Sequence, residues 1–265
     1  MKFPLYWVDA FSEKPFHGNP AAVVPLEAWP ADSLMQQIAF EHNLAETAFF
    51  VRTGPDRYHL RWFTPELEMD LCGHATVATA HVLFTQLGQS GDRIVFDSRS
   101  GPVVVERRGS LLELDFPSRP PAPVPSAQVP AALLAGLGGR APDWIGKARD
   151  YLCVYSSAAE VLALKPDFTL LNQIDVHGII VTGPGGEGTD FVSRFFAPHC
   201  GVPEDPVTGS SHCTLIPFWA ERLGKRKLLA RQVSARGGEL HCELRGDRVG
   251  IAGRAVLYRR GEIEV

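Results

Sequence analysis

Apolar positions in the first half of the chain follow two periods, one typical of strands and one typical of helices. Alternation and short apolar runs predict strands at Leu5–Phe11, Thr47–Arg52 and His59–Thr64. Ala31–Glu41 carries apolar side chains at helical spacing, which predicts an amphipathic helix. The segment after Gly73 differs, because its apolar residues point nearly all round a helix. Such a helix is expected to lie buried at the centre of a sheet.

The remaining apolar runs continue this series along the rest of the chain. Further strands are predicted at Ile94–Asp97, Val103–Arg107, Leu112–Phe116, Gly178–Thr182, Phe191–Phe196, Val233–Ser234, Leu240–Arg245 and Val249–Gly253. A second apolar helix ends near Leu223 and contains Pro217. A proline inside a helix is expected to bend it or to remove one backbone hydrogen bond.

An internal repeat at half length is the strongest sign of domain organisation. Arg61–Pro65 reads Arg-Trp-Phe-Thr-Pro, and Arg194–Pro198 reads Arg-Phe-Phe-Ala-Pro. Each block leads through acidic residues to a small-residue turn and then to an apolar helix that ends in Leu-Gly. The first turn is Leu71–Thr76 and the second is Val207–His212. Two copies are too few for a solenoid, so we predict two pseudo-symmetric halves.

These patterns define a fold class and a boundary. The proline-rich segment Pro117–Pro125 is a candidate linker, because it cannot form a helix interior or a central strand. We therefore expect an N-terminal half over 1–118 and a C-terminal half over 119–265, with 254–265 as a candidate strand for the first half. Strands outnumber helices, which predicts an α+β fold in which each half wraps a mixed sheet around a central apolar helix.

Charge and cysteine content exclude several function classes. The 265 residues carry a formal net charge of −4, which argues against a general nucleic-acid or acidic-membrane binder. The five cysteines are dispersed and contain no CxxC, unlike a disulfide scaffold or a zinc ribbon. The sequence lacks a signal-like N-terminus and an apolar run of about 18 residues, so we expect a soluble cytoplasmic protein.

Both small-residue turns lead into the start of a buried helix. A helix start offers unpaired backbone N–H groups and the positive end of the helix dipole, which together bind anions. Gly73 and Gly209 therefore mark two candidate anion sites, and a cleft between the halves would suit a small substrate with a carboxylate. The competing interpretation is that each glycine only permits close packing of strand and helix.

Titratable residues cluster around these turns. They are Glu46, His74, Asp205 and His212. A carboxylate between apolar residues suits proton transfer, although Glu46 could equally face solvent at a strand end. His74 could equally be a capping or core histidine. Cys72 precedes the first helix, where a lowered thiol pKa is expected. A racemase could use such a thiol, but the repeat places Thr208 at the equivalent position.

Other chemistries fit the sequence less well. His199-Cys200 and His212-Cys213 do not have the ligand spacing of a zinc site, so no metal is expected. The glycine-rich segment Gly183–Gly188 lacks the Lys-Ser/Thr of a phosphate-binding loop. Gly209–Ser211 does not form a G-x-S-x-G nucleophile motif.

Four separated blocks resemble one known family. They are Val8–Phe11 with Gly18–Val24, Asn43–Phe49, Arg61–Thr76 and Glu204–Cys213. In this order they are similar to the motifs of the PhzF-like phenazine-biosynthesis isomerases, and the likeness covers almost the whole chain. The resemblance implies the diaminopimelate-epimerase-like fold. It also implies a cofactor-free isomerase of the trans-2,3-dihydro-3-hydroxyanthranilate isomerase type, often homodimeric.

The same resemblance assigns roles to individual residues. Glu46 would be the acid/base that moves a proton on the substrate. Other side chains would surround the substrate, namely His74, Asp205 and Ser210. The amides of Gly73 and Gly209 would hold its carboxylate. Thr208 would line the site where related epimerases carry their second cysteine.

Two other function classes stay open at this level. The first is an amino-acid or hydroxyproline epimerase that uses Cys72 as one of its bases. The second is a non-catalytic small-molecule binder on the same fold, because a fold alone does not establish activity.

Overall fold

The computed structural model describes residues 1–265 and contains 18 strands and six α-helices. The strands are β1 Lys2–Ala10, β2 Asn19–Leu26, β3 Glu46–Arg52, β4 Arg57–Phe63, β5 Glu68–Met69, β6 Arg93–Ser98, β7 Gly101–Arg108, β8 Leu111–Pro117, β9 Ala122–Pro123, β10 Trp144–Lys147, β11 Tyr151–Val154, β12 Ile179–Pro184, β13 Phe191–Ala197, β14 Val202–Asp205, β15 Lys227–Gln232, β16 Gly238–Arg245, β17 Arg248–Gly253 and β18 Ala255–Glu264. The helices are α1 Asp32–His42, α2 Gly73–Thr85, α3 Ala131–Gly136, α4 Ala158–Ala163, α5 Phe168–Leu171 and α6 Gly209–Leu223. None of these helices is long and apolar enough to span a membrane.

The chain divides into two units. Unit 1 consists of Met1–Asp115 and Ile251–Val265, and unit 2 consists of Phe116–Gly250. Parallel and antiparallel strand pairs occur in both units, and the helices are few. The predicted α+β class with mixed sheets is therefore confirmed.

Unit 1 is built around α2. The helix packs against β1, β2, β3, β7 and β18, and ten of its 13 residues are buried. Its apolar residues leave no polar face for water, so burial on all sides is the stable arrangement. The two buried threonines of α2 satisfy their hydroxyls within the helix. Thr76 and Thr79 donate to the carbonyl oxygens of Cys72 and Ala75, at 2.5 and 2.7 Å.

In unit 2 the helix α6 contains Pro217 and nevertheless continues to Leu223. Pro217 has no N–H, so the carbonyl of Cys213, four residues earlier, loses its helical partner. The backbone N–H of Arg119 donates to that carbonyl at 2.8 Å. The expected loss of one helical hydrogen bond is thus compensated from outside the helix. The helix ends at Gly224, which adopts a left-handed conformation with φ +62°.

The two units repeat one series of strand pairings. In unit 1, β1–β2 is antiparallel, β2–β3 parallel, β3–β4 and β4–β5 antiparallel, β4–β6 parallel and β6–β7 antiparallel. In unit 2 the same directions recur in β10–β11, β11–β12, β12–β13, β13–β14, β13–β15 and β15–β16. The repeat found in the sequence therefore extends to the order and direction of strands. A pseudo-twofold relation between the units stays a prediction.

The repeated arginines make equivalent contacts. Arg61 forms a two-pronged ion pair with Glu68, at 2.7 and 2.8 Å, and lies over the ring of Phe63 at 5.2 Å. Arg194 pairs in the same way with Glu204, at 2.8 and 3.0 Å, and its guanidinium carbon lies 5.0 Å from the centre of the Phe196 ring. Both guanidinium groups are largely buried, at 12% side-chain exposure. Each arginine thus fixes the strand that leads to the candidate site of its own unit.

Some elements differ from the sequence prediction. The strand β2 was not predicted. It contains Pro20 and Pro25, and prolines argue against a strand that is paired on both sides. The strand expected at Val233–Ser234 lies earlier, as β15. The helix α1 begins at Asp32, whose carboxylate accepts a hydrogen bond from Arg61 at 2.8 Å.

Gly18 is a position where glycine is required for two reasons. Its φ is +70°, and a Cβ atom there would lie 2.1 Å from the carbonyl oxygen of Ala10. Gly88 has nearly the same φ, +67°, but nothing lies within 4 Å of the corresponding Cβ position. We expect Gly88→Ala to lower the free energy of unfolding by about 1 kcal/mol through backbone strain alone. Gly18→Ala should lower it by about 1–3 kcal/mol more, because the clash adds to the strain.

Urea unfolding of both variants and of the unsubstituted protein tests this comparison. Equal losses of stability in Gly18→Ala and Gly88→Ala would show that the β1–β2 connection shifts to accommodate the added Cβ atom without lowering the free energy of unfolding further.

Candidate functional site

Glu46 is the first residue of β3 and stands three residues after α1 has ended at Asn43. Asn43 adopts φ +50°, a left-handed conformation that stops the helix and turns the chain into the strand. In the parallel pairing of β2 and β3, Glu46 lies opposite Ala21. Its side chain is 15% exposed. The junction between α1 and β3 therefore places the nearly buried carboxylate of Glu46 in the interior of unit 1.

His74 lies against this carboxylate. It is the second residue of α2 and is buried. Its Nε2 lies 3.1 Å from Oε2 of Glu46, an ion-pair distance. Its Nδ1 lies 3.1 Å from Nδ2 of Asn19 and 3.6 Å from Sγ of Cys72. The imidazole ring thus bridges Glu46 on one side and Asn19 and Cys72 on the other.

Cys72 does not have the low thiol pKa that the sequence suggested. Burial, followed by the negative charge of Glu46, raises the pKa of Cys72. The expectation from its place at a helix start is therefore wrong, because desolvation of the thiolate outweighs the helix dipole. Cys72 is a neutral thiol near neutral pH. This weakens the interpretation in which it acts as a thiolate base.

The charge state of His74 follows from its carboxylate neighbour. Burial lowers the pKa of His74, but its contacts with Cys72 and Glu46 outweigh burial and raise the pKa well above its usual value. Since Cys72 is a thiol, the Glu46 carboxylate is the partner that holds the proton on His74. Nε2 of His74 lies at ion-pair distance from Oε2 of Glu46, although the two atoms do not meet in hydrogen-bond geometry.

Three potential metal ligands meet here, because the ligand atoms of Glu46, Cys72 and His74 lie within 4.8 Å of one another. Glu46 lies against Nε2 of His74, whereas Cys72 lies against Nδ1. The two groups thus approach different nitrogens of the imidazole ring.

In unit 2, Asp205 and Thr208 form a second polar group. Asp205 ends β14, and Thr208 is the residue before α6. The hydroxyl of Thr208 donates to Oδ2 of Asp205 at 2.5 Å. Gln232, at the end of β15, bonds to both residues and is 1% exposed. This cluster holds the turn that leads into α6.

His212 is a structural residue rather than part of a titratable cluster. It is fully buried, and its Nδ1 lies 2.8 Å from the carbonyl oxygen of Thr208. Burial lowers the pKa of His212 to about 4. The residue is therefore neutral near pH 7 and packs beside the ring of Phe191, with ring centres 5.9 Å apart.

The remaining predicted residues lie at the two helix starts. Gly73 and Gly209 are the first residues of α2 and α6. Their backbone N–H groups point out of the helix and have no partner within it. Ser210 follows Gly209 and is partly exposed. Glu46, His74 and Gly73 are thus brought together in unit 1. Asp205, Thr208 and Gly209 are close together in unit 2.

Sequence reasoning missed Asn19 and Gln232 as members of these groups. Asn19 is fully buried and follows Gly18, whose positive φ marks a forced turn that could have drawn attention to it. Gln232 has no such local signal. It reaches Thr208 only because β15 runs parallel to β13, where Gln232 pairs with Ser193.

Comparison with known proteins places this chain among close relatives. A family model described as phenazine biosynthesis-like protein matches residues 8–261. An uncharacterized isomerase of Pseudomonas aeruginosa is 52% identical over 265 residues, which is 100% of both chains. The crystal structure of a PhzF-family phenazine biosynthesis protein from Enterococcus faecalis is 45% identical, with a TM-score of 0.95 and 100% of both chains covered. A predicted epimerase of Pseudomonas aeruginosa has a TM-score of 0.73 at 18% identity over 99% of each chain, so it shares the fold alone.

The state of the thiols gives a first prediction for this site. Cys200 is exposed, whereas Cys72 is buried and burial raises its pKa. We expect iodoacetamide to modify Cys200 at least about a hundred times faster than Cys72 in the folded protein, because reaction needs an accessible thiolate. Peptide mapping by mass spectrometry measures both rates, and denatured protein serves as the control in which the two thiols react alike. Rapid labelling of Cys72 in the folded state would restore the thiolate interpretation.

His212 gives a prediction for stability against pH. Its pKa falls from 6.5 to about 4 on folding, so the unfolded chain binds the extra proton between these values. The stabilisation is complete above pH 6.5 and is lost as the pH falls toward 4, by about 3 kcal/mol at most. Urea unfolding across this range should show a shallower loss in His212→Gln. The exposed residue His17 supplies the control variant His17→Gln, which should keep the original slope. An unchanged slope in His212→Gln would mean that His212 takes up its proton while the protein is folded.

Proposed function

Because the chain belongs to the phenazine biosynthesis-like family, we propose that it is a cofactor-independent isomerase of small carboxylate-bearing molecules. Relatives over the full chain length are named isomerases, which supports the reaction class. The proposed reaction moves a proton from one carbon of the substrate to another. The type reaction is the isomerisation of trans-2,3-dihydro-3-hydroxyanthranilate.

The contact between Glu46 and His74 carries this proposal. A base for carbon acids needs a carboxylate that is ionised yet shielded from water. Glu46 is nearly buried, and Nε2 of the His74 imidazole lies 3.1 Å from its carboxylate. When Glu46 accepts a proton from the substrate, the pair has both a proton donor and a positive charge within reach of the reacting atoms.

The proposed step conserves atoms and electrons. Glu46 takes the proton from one carbon, and the electron pair of the broken C–H bond delocalises into the adjacent unsaturated system. The negative charge then moves toward the electron-withdrawing end of the substrate. The same carboxylic acid returns the proton to a different carbon, so that a double bond has moved and Glu46 is again a carboxylate. His74 remains beside it and limits the cost of both charge states.

The two helix starts are assigned to substrate binding in this proposal. Backbone N–H groups at Gly73 and Gly209 lie at the positive ends of α2 and α6, which favours a carboxylate. Asp205, Thr208 and Ser210 contribute polar groups from the second unit. The cleft expected between the two halves stays a prediction.

The sharpest test uses solvent deuterium as the label. Purified protein is incubated with trans-2,3-dihydro-3-hydroxyanthranilate in D₂O, and turnover is followed by absorbance and by NMR. Glu46→Gln is nearly isosteric but cannot carry the proton, so turnover should fall by about 10²–10⁴-fold. Glu41→Gln is the matched control, because Glu41 is exposed at the end of α1. It should keep the original rate.

The outcomes separate the site from the substrate. Turnover at the original rate in Glu46→Gln would overturn the role of Glu46. Absence of turnover in the unsubstituted protein would reject this substrate, and a panel of small carboxylates would follow with the same deuterium readout. Deuterium uptake with inversion at a single carbon would identify an epimerase instead. Binding detected by calorimetry without any exchange across the panel would identify a non-catalytic binder.

A further inference from the structure

Gln232 bonds to the turn before α6 at three points. Its Oε1 accepts the backbone N–H of Thr208 at 2.8 Å. Its Nε2 donates to the carbonyl oxygen of Asp205 at 2.7 Å and to Oγ1 of Thr208 at 3.1 Å. These partners leave no choice in the orientation of the amide, because a backbone N–H can only donate and a carbonyl can only accept.

The orientation of Gln232 decides where the hydrogen of Thr208 goes. A hydroxyl has one hydrogen, and the Thr208 oxygen already accepts from Gln232. Its hydrogen is therefore directed to Oδ2 of Asp205, 2.5 Å away. A donor at this distance favours the charged form of the carboxylate. The two hydrogen bonds therefore run in one direction, from the amide of Gln232 to the hydroxyl of Thr208 and from that hydroxyl to the carboxylate of Asp205.

Unit 1 also has a buried side-chain amide beside a residue at a helix start. The amide of Asn19 contacts Nδ1 of His74, and Nε2 of His74 faces Glu46. His74 and Thr208 each stand within two residues of the start of a long helix. A buried amide thus lies beside each of the two helix starts that the proposed function assigns to substrate binding.

We propose that Gln232 is a positioning residue that directs the hydroxyl hydrogen of Thr208 onto Asp205 and so keeps Asp205 an ionised acceptor. The importance of this arrangement for catalysis rests on the proposed function, but the arrangement itself does not. An ionised Asp205 meets the substrate as an acceptor of a hydrogen bond or a proton. Without the amide behind it, the Thr208 hydroxyl is free to turn away from Oδ2 of Asp205.

The experiment follows the protonation of Asp205 in the free protein. Carbon-13 NMR of protein labelled at the aspartate carboxyl carbons gives the pH midpoint of Asp205, assigned with Asp205→Asn. Gln232→Glu can still accept from the Thr208 N–H, but it offers no donor and adds a negative charge. The midpoint of Asp205 should move upward by about one pH unit or more, a tenfold change in proton affinity. Thr208→Val, which keeps the shape of the side chain and removes the hydroxyl, should also move it upward.

Two further variants separate positioning from loop structure. Ser234 holds the same turn by donating to the carbonyl of Pro206 at 2.8 Å, yet it has no contact with the hydroxyl of Thr208. Ser234→Ala should leave the midpoint of Asp205 in place. Thr208→Ser retains the hydroxyl and should restore the midpoint that Thr208→Val has shifted.

The result can overturn the proposal in two ways. Unchanged midpoints in both Gln232→Glu and Thr208→Val would show that the relay does not act on Asp205. An equal shift in Ser234→Ala would show that Asp205 responds only to the position of the loop. Because no substrate is present, failure of the proposed isomerase activity would leave this outcome unaffected. Where an activity is found, the acidic limb of its pH profile should move in the same direction as the midpoint.

Discussion

A helix that is apolar on every side is stable in water only where other elements cover all of it, and α2 imposes this condition on unit 1. The strands around α2 cover its apolar surface, and the helix in turn covers one face of these strands. Burial includes the first turn of the helix, where backbone N–H groups have no helical partners. The same requirement that stabilises the core therefore creates a dry, positively polarised place at the helix start. His74 and Glu46 lie there.

Burial acts on the titratable groups in directions that depend on their partners. His212 has a backbone carbonyl as its neighbour, which carries no full charge, so desolvation prevails and the imidazole stays neutral. His74 is just as deeply buried, but it has a carboxylate beside it and becomes charged. Cys72 experiences both burial and the charge of Glu46, and both favour the uncharged thiol. Burial alone thus does not decide the protonation state of a group, since the charge of its nearest partner determines whether the charged or the neutral form is stable.

The sequence allowed much of the architecture to be predicted, for identifiable reasons. The apolar character of the helix after Gly73 requires burial, and short-range patterns carry that information. Glu46 was found because an acidic residue among apolar neighbours is unusual. The thiol pKa of Cys72 was predicted wrongly, because the helix start is visible in the sequence while the surrounding desolvation is not. Asn19 and Gln232 were missed since their roles depend on contacts between strands that are distant in the chain. Such contacts leave no trace in local spacing.

The carbonyl that Pro217 leaves without a helical partner helps to anchor the proline-rich segment Pro117–Pro125. Five of these nine residues are proline, so only four backbone N–H groups are available to tie the segment down. Three of the four donate to carbonyl oxygens elsewhere in unit 2, from Ser118, Arg119 and Val124 to Asp247, Cys213 and Ile145. The carbonyl used by Arg119 is the one that the proline in α6 sets free. A residue that weakens the helix locally thereby supplies an anchor for a chain segment poor in donors. Since prolines also restrict the unfolded chain, this stretch loses little conformational entropy when it is fixed. It is a strap fastened to unit 2 rather than a flexible tether.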